Sequence, residues 1–161
     1  MRQETINIYT FDELSDHAKD KAREWFKGAS DYWGVDDGID SIKAFCNHYG
    51  VKVTDYELST CSYSYIDTDI ENRHLRGVTL KQVEKEKDLM PTGYCVDCDL
   101  FITMYELMRD NGGNALQAFK DAVEAGKKSI ISDMEYQESD EYADETIEAN
   151  GYEFLENGAR A

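Results

Sequence analysis

Between Lys128 and Arg160 the sequence contains no cation, while residues 133–156, "DMEYQESDEYADETIEANGYEFLE", hold ten carboxylates. Within this run Asp140/Asp144, Glu141/Glu145 and Asp144/Glu148 are like-charged i,i+4 pairs, each costing a few tenths of a kcal/mol in a helix. Folding gains nothing from such pairs. The segment therefore has to be a solvated face, kept for solubility or for a partner, and its structure must be supported from elsewhere in the chain. The charge extends to the whole protein, with 34 acidic against 17 basic residues and a net charge of −17. A surface of this sign repels nucleic acid phosphates and anionic membranes and attracts basic surfaces at long range. Direct DNA or RNA binding and membrane binding are disfavoured.

Against that charge stand a 41% hydrophobic and 12% aromatic content, including eleven Tyr and two Trp, which disordered acidic chains do not carry. At 161 residues with a single Pro and no linker or internal repeat, the chain reads as one domain, 1–161, with a strongly acidic segment at 133–156. Neither a signal peptide nor a run of roughly 18 apolar residues is present, so a cytosolic protein with reduced thiols at Cys46, Cys61, Cys95 and Cys98 is expected.

Periodicity divides the chain as follows. "ETINIYT" alternates as a short strand. Thr10 and Glu13 have capping-box spacing, and Ser15 offers a second N-cap, giving a helix over 11–27 with a break at Ser15. Ile39, Ile42, Phe45, Cys46 and Tyr49 share a helical face that opens at Asp37 and stops at Gly50. "VKVTDYEL" and "TCSYSYID" alternate as adjacent antiparallel strands joined near Ser59 and Thr60. "TLKQVEKEKDLM" predicts a charged helix before Pro91. From Asp97, Leu100, Phe101, Met104, Leu107 and Met108 mark a buried helix ended by Gly112 and Gly113. Asn114 caps a long helix with Gly126 as its weak point. Ser139 caps an acidic helix that ends at Asn150-Gly151, and "YEFLENG" predicts a last strand. The sum is an α+β fold, a small, mainly antiparallel sheet with helices on one side.

"YTFDELSDHAKDKAREWF", together with "YQESDEYADETIEANGYEFLENGARA", resembles a family of small acidic proteins encoded by bacteriophages and other mobile elements. Members begin with a strand and an "F-x-E-L-S-x-x-A-K-x-K-A-x-x-W" helix, and end in an acidic "ETI-x-A-N-x-Y-x-F-x-x-x-G" segment. The resemblance covers the two ends, about a third of the chain. Where many members have a Gly-rich "S-Q-G-D-G" after the second strand, this sequence has "SYSYIDTD". The resemblance implies a phage or prophage context, some members carrying an antitoxin-like label. It implies no reaction and brings no functional residues.

Five carboxylates, Asp140, Glu141, Asp144, Glu145 and Glu148, lie along nine residues. At ~1.5 Å rise they give about one charge per ~2.7 Å, against one per ~1.7 Å in duplex DNA. These residues, with Tyr142 and Tyr152 as anchors for partner arginines, are the expected binding set of a non-enzymatic, phage-encoded inhibitor. Such a protein imitates nucleic acid to occupy a basic nucleic-acid-handling host protein, in an anti-CRISPR or antirestriction role. The plainer reading of Tyr136, Tyr142 and Tyr152 is that they seat the acidic helix on the core.

Two alternatives are an antitoxin-like or adaptor protein using an apolar patch, and a zinc-supported module built on "C-V-D-C" at Cys95 and Cys98 with Cys46 and His48 as further ligands. A redox role for the same pair lacks a preceding βαβ pattern. "D-T-D-I-E" at Asp67, Asp69 and Glu71 has no EF-hand spacing and is read as a guarded edge strand. His17, His48 and His74 accompany no nucleophile elbow, P-loop or H-E-x-x-H motif. No enzyme, cofactor or metal is expected.

Overall fold

The computed structural model describes residues 6–161. They form β1 (Tyr9–Thr10), a 3-10 turn (Phe11–Glu13), α1 (Asp16–Ala29), α2 (Val35–His48), β2 (Val53–Glu57), β3 (Tyr65–Thr68), α3 (Leu80–Glu86), α4 (Cys95–Asp110), α5 (Ala115–Gln137), α6 (Asp140–Ala149) and β4 (Glu153–Phe154). The class is α+β, with two antiparallel two-stranded sheets, β1–β4 and β2–β3, in place of the single sheet expected. Among the described residues no helix is long and apolar enough to cross a membrane. The chain divides into two compact units, residues 6–32 with 135–161, and residues 33–134. The second boundary falls inside α5, where the sequence shows no linker.

The first unit joins the two ends of the chain. Of the expected strand over 4–10, residues 4 and 5 lie outside the described residues, and only Tyr9 and Thr10 pair, with Phe154 and Glu153. The strand stops there because Glu13 reaches back to the Thr10 backbone N–H (2.8 Å) and hydroxyl (3.0 Å), turning the chain. Those bonds hold the Glu13 carboxyl below its ordinary range. Ser15 then caps α1 through the Ala18 N–H, which is the predicted break. Phe11, Leu14, Ala18, Ala22 and Phe26 are buried together with Ala143, Ile147 and Phe154 from the tail. Small residues at 18 and 22 let the chain come close to α1. Gly158 is the extreme case: at φ +83° a Cβ there would lie 2.1 Å from the Ala18 carbonyl oxygen.

The second unit is helical, with the β2–β3 hairpin attached. Phe45 of α2 stacks on Phe119 of α5 (5.2 Å between centroids) and meets Phe101 of α4 edge-on (5.0 Å). Gly126, expected as a weak point of α5, is buried against Leu100, and a Cβ would stand 2.7 Å from that side chain. Its missing side chain is thus what admits a close neighbour. Gly34, and not Asp37, occupies the N-cap of α2, with Asp37 in the first turn. Gly50 ends the helix as predicted, its N–H bonding to Asn47 O and that of Val51 to Cys46 O.

The second hairpin strand starts later than "TCSYSYID" suggests. Ser59 Oγ accepts from the N–H groups of Cys61 and Ser62, and Ser64 Oγ from that of Ser59. These local bonds fold residues 59–64 into a loop and take Cys61 and Tyr63 out of the ladder.

Replacing Gly158 by Ala forces a side chain against the Ala18 backbone in a left-handed conformation. We expect G158A to lose at least about 2 kcal/mol, lowering Tm by roughly 4–8 °C in thermal unfolding followed by circular dichroism. An unchanged Tm would contradict the packing described.

Candidate functional site

The acidic helix α6 forms as predicted, Ser139 Oγ accepting from the Tyr142 N–H (3.1 Å). It buries Ala143 and Ile147. At about 100° per residue, Asp140 and Asp144 lie next to that buried face, and Glu148, Glu141 and Glu145 follow within an arc of about 60°. The five carboxylates therefore occupy one side of the helix, in two sets with different surroundings.

The inner set faces cations of α1. Asp144 receives Arg23 Nε (2.6 Å) and Nη2 (2.7 Å) in a two-pronged pair, both side chains being mostly covered. Arg23 also bonds Asp20 (2.9 Å), and its guanidinium lies 5.7 Å from the Phe11 ring centroid. The bond to Asp144 pushes the guanidinium pKa up. Lys27 Nζ lies 2.6 Å from Asp140 and holds that carboxyl below the usual carboxylate range. These two acids support the fold of the unit.

The outer set is exposed, as is Asp140, and differs from the inner set in facing no cation of α1 at ion-pair distance among the described residues. Glu145 accepts a hydrogen bond from the Tyr136 hydroxyl (3.0 Å), which raises the Tyr136 pKa. Glu148 is crowded by Asp12 of the 3-10 turn; the neighbouring negative charge pushes the Glu148 carboxyl above its ordinary value, and Lys19 offsets only part of the effect. Nothing linear in the sequence joins Asp12 to Glu148, so their approach was legible only once the two ends had folded together.

Tyr142 and Tyr152, expected as partner anchors, have packing roles. The Tyr142 ring lies 6.2 Å from Phe26, and Tyr152 meets Trp25 edge-on at 5.4 Å with the Arg160 guanidinium 4.9 Å away. Tyr136, 41% exposed and 5.5 Å from Tyr142, is the aromatic that stands beside the outer carboxylates.

The other candidates are placed as follows. Cys46 is fully buried, and burial, with the charge of Asp69, pushes its thiol up to about 12. His48 faces Glu86 (3.2 Å), a carboxylate that also accepts from Tyr49 (2.8 Å) and Gln82 (3.0 Å). Burial would raise Glu86, but these bonds outweigh it and hold the group low. Cys46 and His48 are thus committed elsewhere than to Cys95 and Cys98, and no group of three or more His, Cys, Asp or Glu is arranged to hold a metal ion among the described residues. Asp69 accepts the Lys52 N–H and Glu71 pairs with Arg73. Asp97, read as a helix start, is fully buried, and Oδ2 accepts from the Thr92 N–H and hydroxyl and the Gly93 N–H.

No protein-family model, curated protein or solved structure matches the chain.

Asp140 and Glu148 carry opposite signs for stability. The Asp140 carboxyl is depressed in the fold, so its contribution is complete above the unfolded value of 3.8 and is lost as pH falls through the lower folded value. Glu148 is raised, so its charge opposes folding at neutral pH and the penalty is relieved in acid. In thermal unfolding at pH 7, D144N is expected to lower stability by about 1–2 kcal/mol through loss of the Arg23 pair, and E148Q to raise Tm slightly. Equal losses in both would contradict the division.

Proposed function

We propose that this chain is a non-enzymatic acidic binding protein that occupies the Lys/Arg-lined surface of a nucleic-acid-handling protein. Its contact face is the outer stripe Glu141, Glu145 and Glu148 with Asp12 and Tyr136. The observation that carries this reading is that Glu141, Glu145 and Glu148 stand exposed on one arc of α6 while Arg23 and Lys27 of α1 are engaged by Asp144 and Asp140; the charge of Asp12 adds to that stripe and raises the Glu148 carboxyl, and a basic partner relieves it. Asp140 and Asp144 enter as supports, since Lys27 and Arg23 already neutralise them.

This changes the form of the mimicry. Without the paired acids, three charges over the eight residues 141–148 give about one per ~4 Å along the helix, sparser than one DNA strand at ~3.4 Å per phosphate. The face supplies negative potential more than a copied phosphate ladder. The resemblance of both chain ends to proteins of phages and mobile elements directs the partner class to host defence complexes of the CRISPR or restriction type, in the bacterial cytosol. An adaptor working through an apolar patch would keep its affinity at high salt, which this face would not.

The test is displacement of labelled duplex DNA from purified CRISPR effectors and restriction nucleases, at low and high salt. Wild-type protein is expected to displace DNA from at least one of them, less well as salt rises. The triple variant E141Q/E145Q/E148Q should be weaker by roughly tenfold or more, from about 0.5–1 kcal/mol per charge. Displacement by neither protein, or equally by both, would overturn the proposal.

A further inference from the structure

Cys95 and Cys98 are the first and fourth residues of α4, a helix of 16 residues. Cys95 is exposed and Cys98 half-buried, and both are free thiols. Residues three apart on a helix have Cα atoms about 5 Å from each other, within the ~4.4–6.8 Å of a disulfide. Helical Cβ atoms tilt toward the N-terminus, so the Cys98 side chain leans back toward Cys95. Their Cβ atoms, about 5–6 Å apart on a regular helix, need to close to about 3.5–4.5 Å. That closure falls to the side chains and to the start of the helix, where the Asp97 N–H donates to Tyr94 O (3.0 Å) in place of a partner four residues back.

The surroundings hold this turn in place and leave one thiol accessible. Buried Asp97 lies between the two cysteines and ties Thr92 and Gly93 to the helix start (2.9–3.0 Å). Ser41 of α2 bonds the Thr92 hydroxyl (2.9 Å) from the other side. Tyr94, the N-cap residue of α4, sets its ring against that of Trp33, which is 68% exposed, at 6.4 Å. With Cys46 buried, Cys98 is the thiol positioned to resolve a bond made at Cys95.

We infer that Cys95 and Cys98 are a thiol–disulfide exchange site that takes a small disulfide as co-reactant. The Cys95 thiolate attacks one sulfur of the disulfide RSSR, forming a mixed disulfide and expelling RS⁻. The Cys98 thiolate then attacks the Cys95 sulfur and expels the second RS⁻. Both leaving groups take up the protons lost by the two cysteines, giving Cys95–S–S–Cys98 and two RSH. The protein gives up two electrons and the small disulfide accepts them. The bond closes a strained, exposed turn, the kind that is reversed readily by excess thiol.

Oxidised glutathione is the probe, in a Cys61→Ser background so that the remaining exposed thiol outside the pair is absent. After quenching with an alkylating agent, intact mass should show a product two hydrogens lighter, with Cys95 and Cys98 both protected and restored by reduced glutathione. Cys98→Ser should stop at a glutathione adduct on Cys95. Cys95→Ser should lose thiol at this site roughly tenfold or more slowly, circular dichroism showing both variants folded. A wild-type protein that keeps both thiols, or that stops at the mixed adduct as Cys98→Ser does, would overturn the inference.

Discussion

The Arg23 guanidinium organises the unit made by the two chain ends. It binds Asp144 with two of its nitrogens, reaches Asp20 with a third, and lies over the Phe11 ring. One planar cation thereby joins α1, the 3-10 turn and the acidic helix, in a geometry that a lysine point charge cannot reproduce. The apolar contacts of Ala143 and Ile147 seat α6, and Arg23 with Lys27 fixes which carboxylates are paired. The charge left over after that pairing is what meets solvent, and the functional reading rests on that remainder.

The acidic helix was legible in outline and not in division. Ser139 as cap, Asn150-Gly151 as stop and the carboxylate positions were all readable, because capping and periodicity are local. That Asp140 and Asp144 turn toward cations was not readable, since Arg23 and Lys27 belong to the other end of the chain. The plainer reading of Tyr142 and Tyr152, as seats on the core, is the one their ring contacts support. Helices were easier than strands for the same reason: β1 and β4 are two residues each, cut short by the Glu13 bond on one side and by the turn that returns Gly158 to Ala18 on the other. The first helix and the acidic tail, from opposite ends of the chain, pack together in one unit.

The second unit has a different chemical character. Its core is aromatic, with Phe45, Phe101 and Phe119 in contact, and two of its buried polar residues, Ser41 and Asp97, meet at the Thr92 hydroxyl before α4. Those bonds support the turn holding Cys95 and Cys98. A C-x-x-C pair in sequence is ambiguous between metal and redox chemistry. In the structure the pair occupies the first turn of a helix, with Cys46 enclosed in the core and His48 bound to Glu86.

The central claim is that the carboxylates of α6 divide into an inner set paired with cations of α1 and an outer set in which Glu148 is pressed by the charge of Asp12. Site-resolved carboxyl titration by NMR measures this directly in the free protein. The account predicts a midpoint for Asp140 below 3.8 and one for Glu148 above 4.5, the ordinary values of those groups, with the Glu148 displacement shrinking in high salt. Titration of Glu148 at or below its ordinary value would mean that its charge is already compensated within the molecule, and would contradict the account.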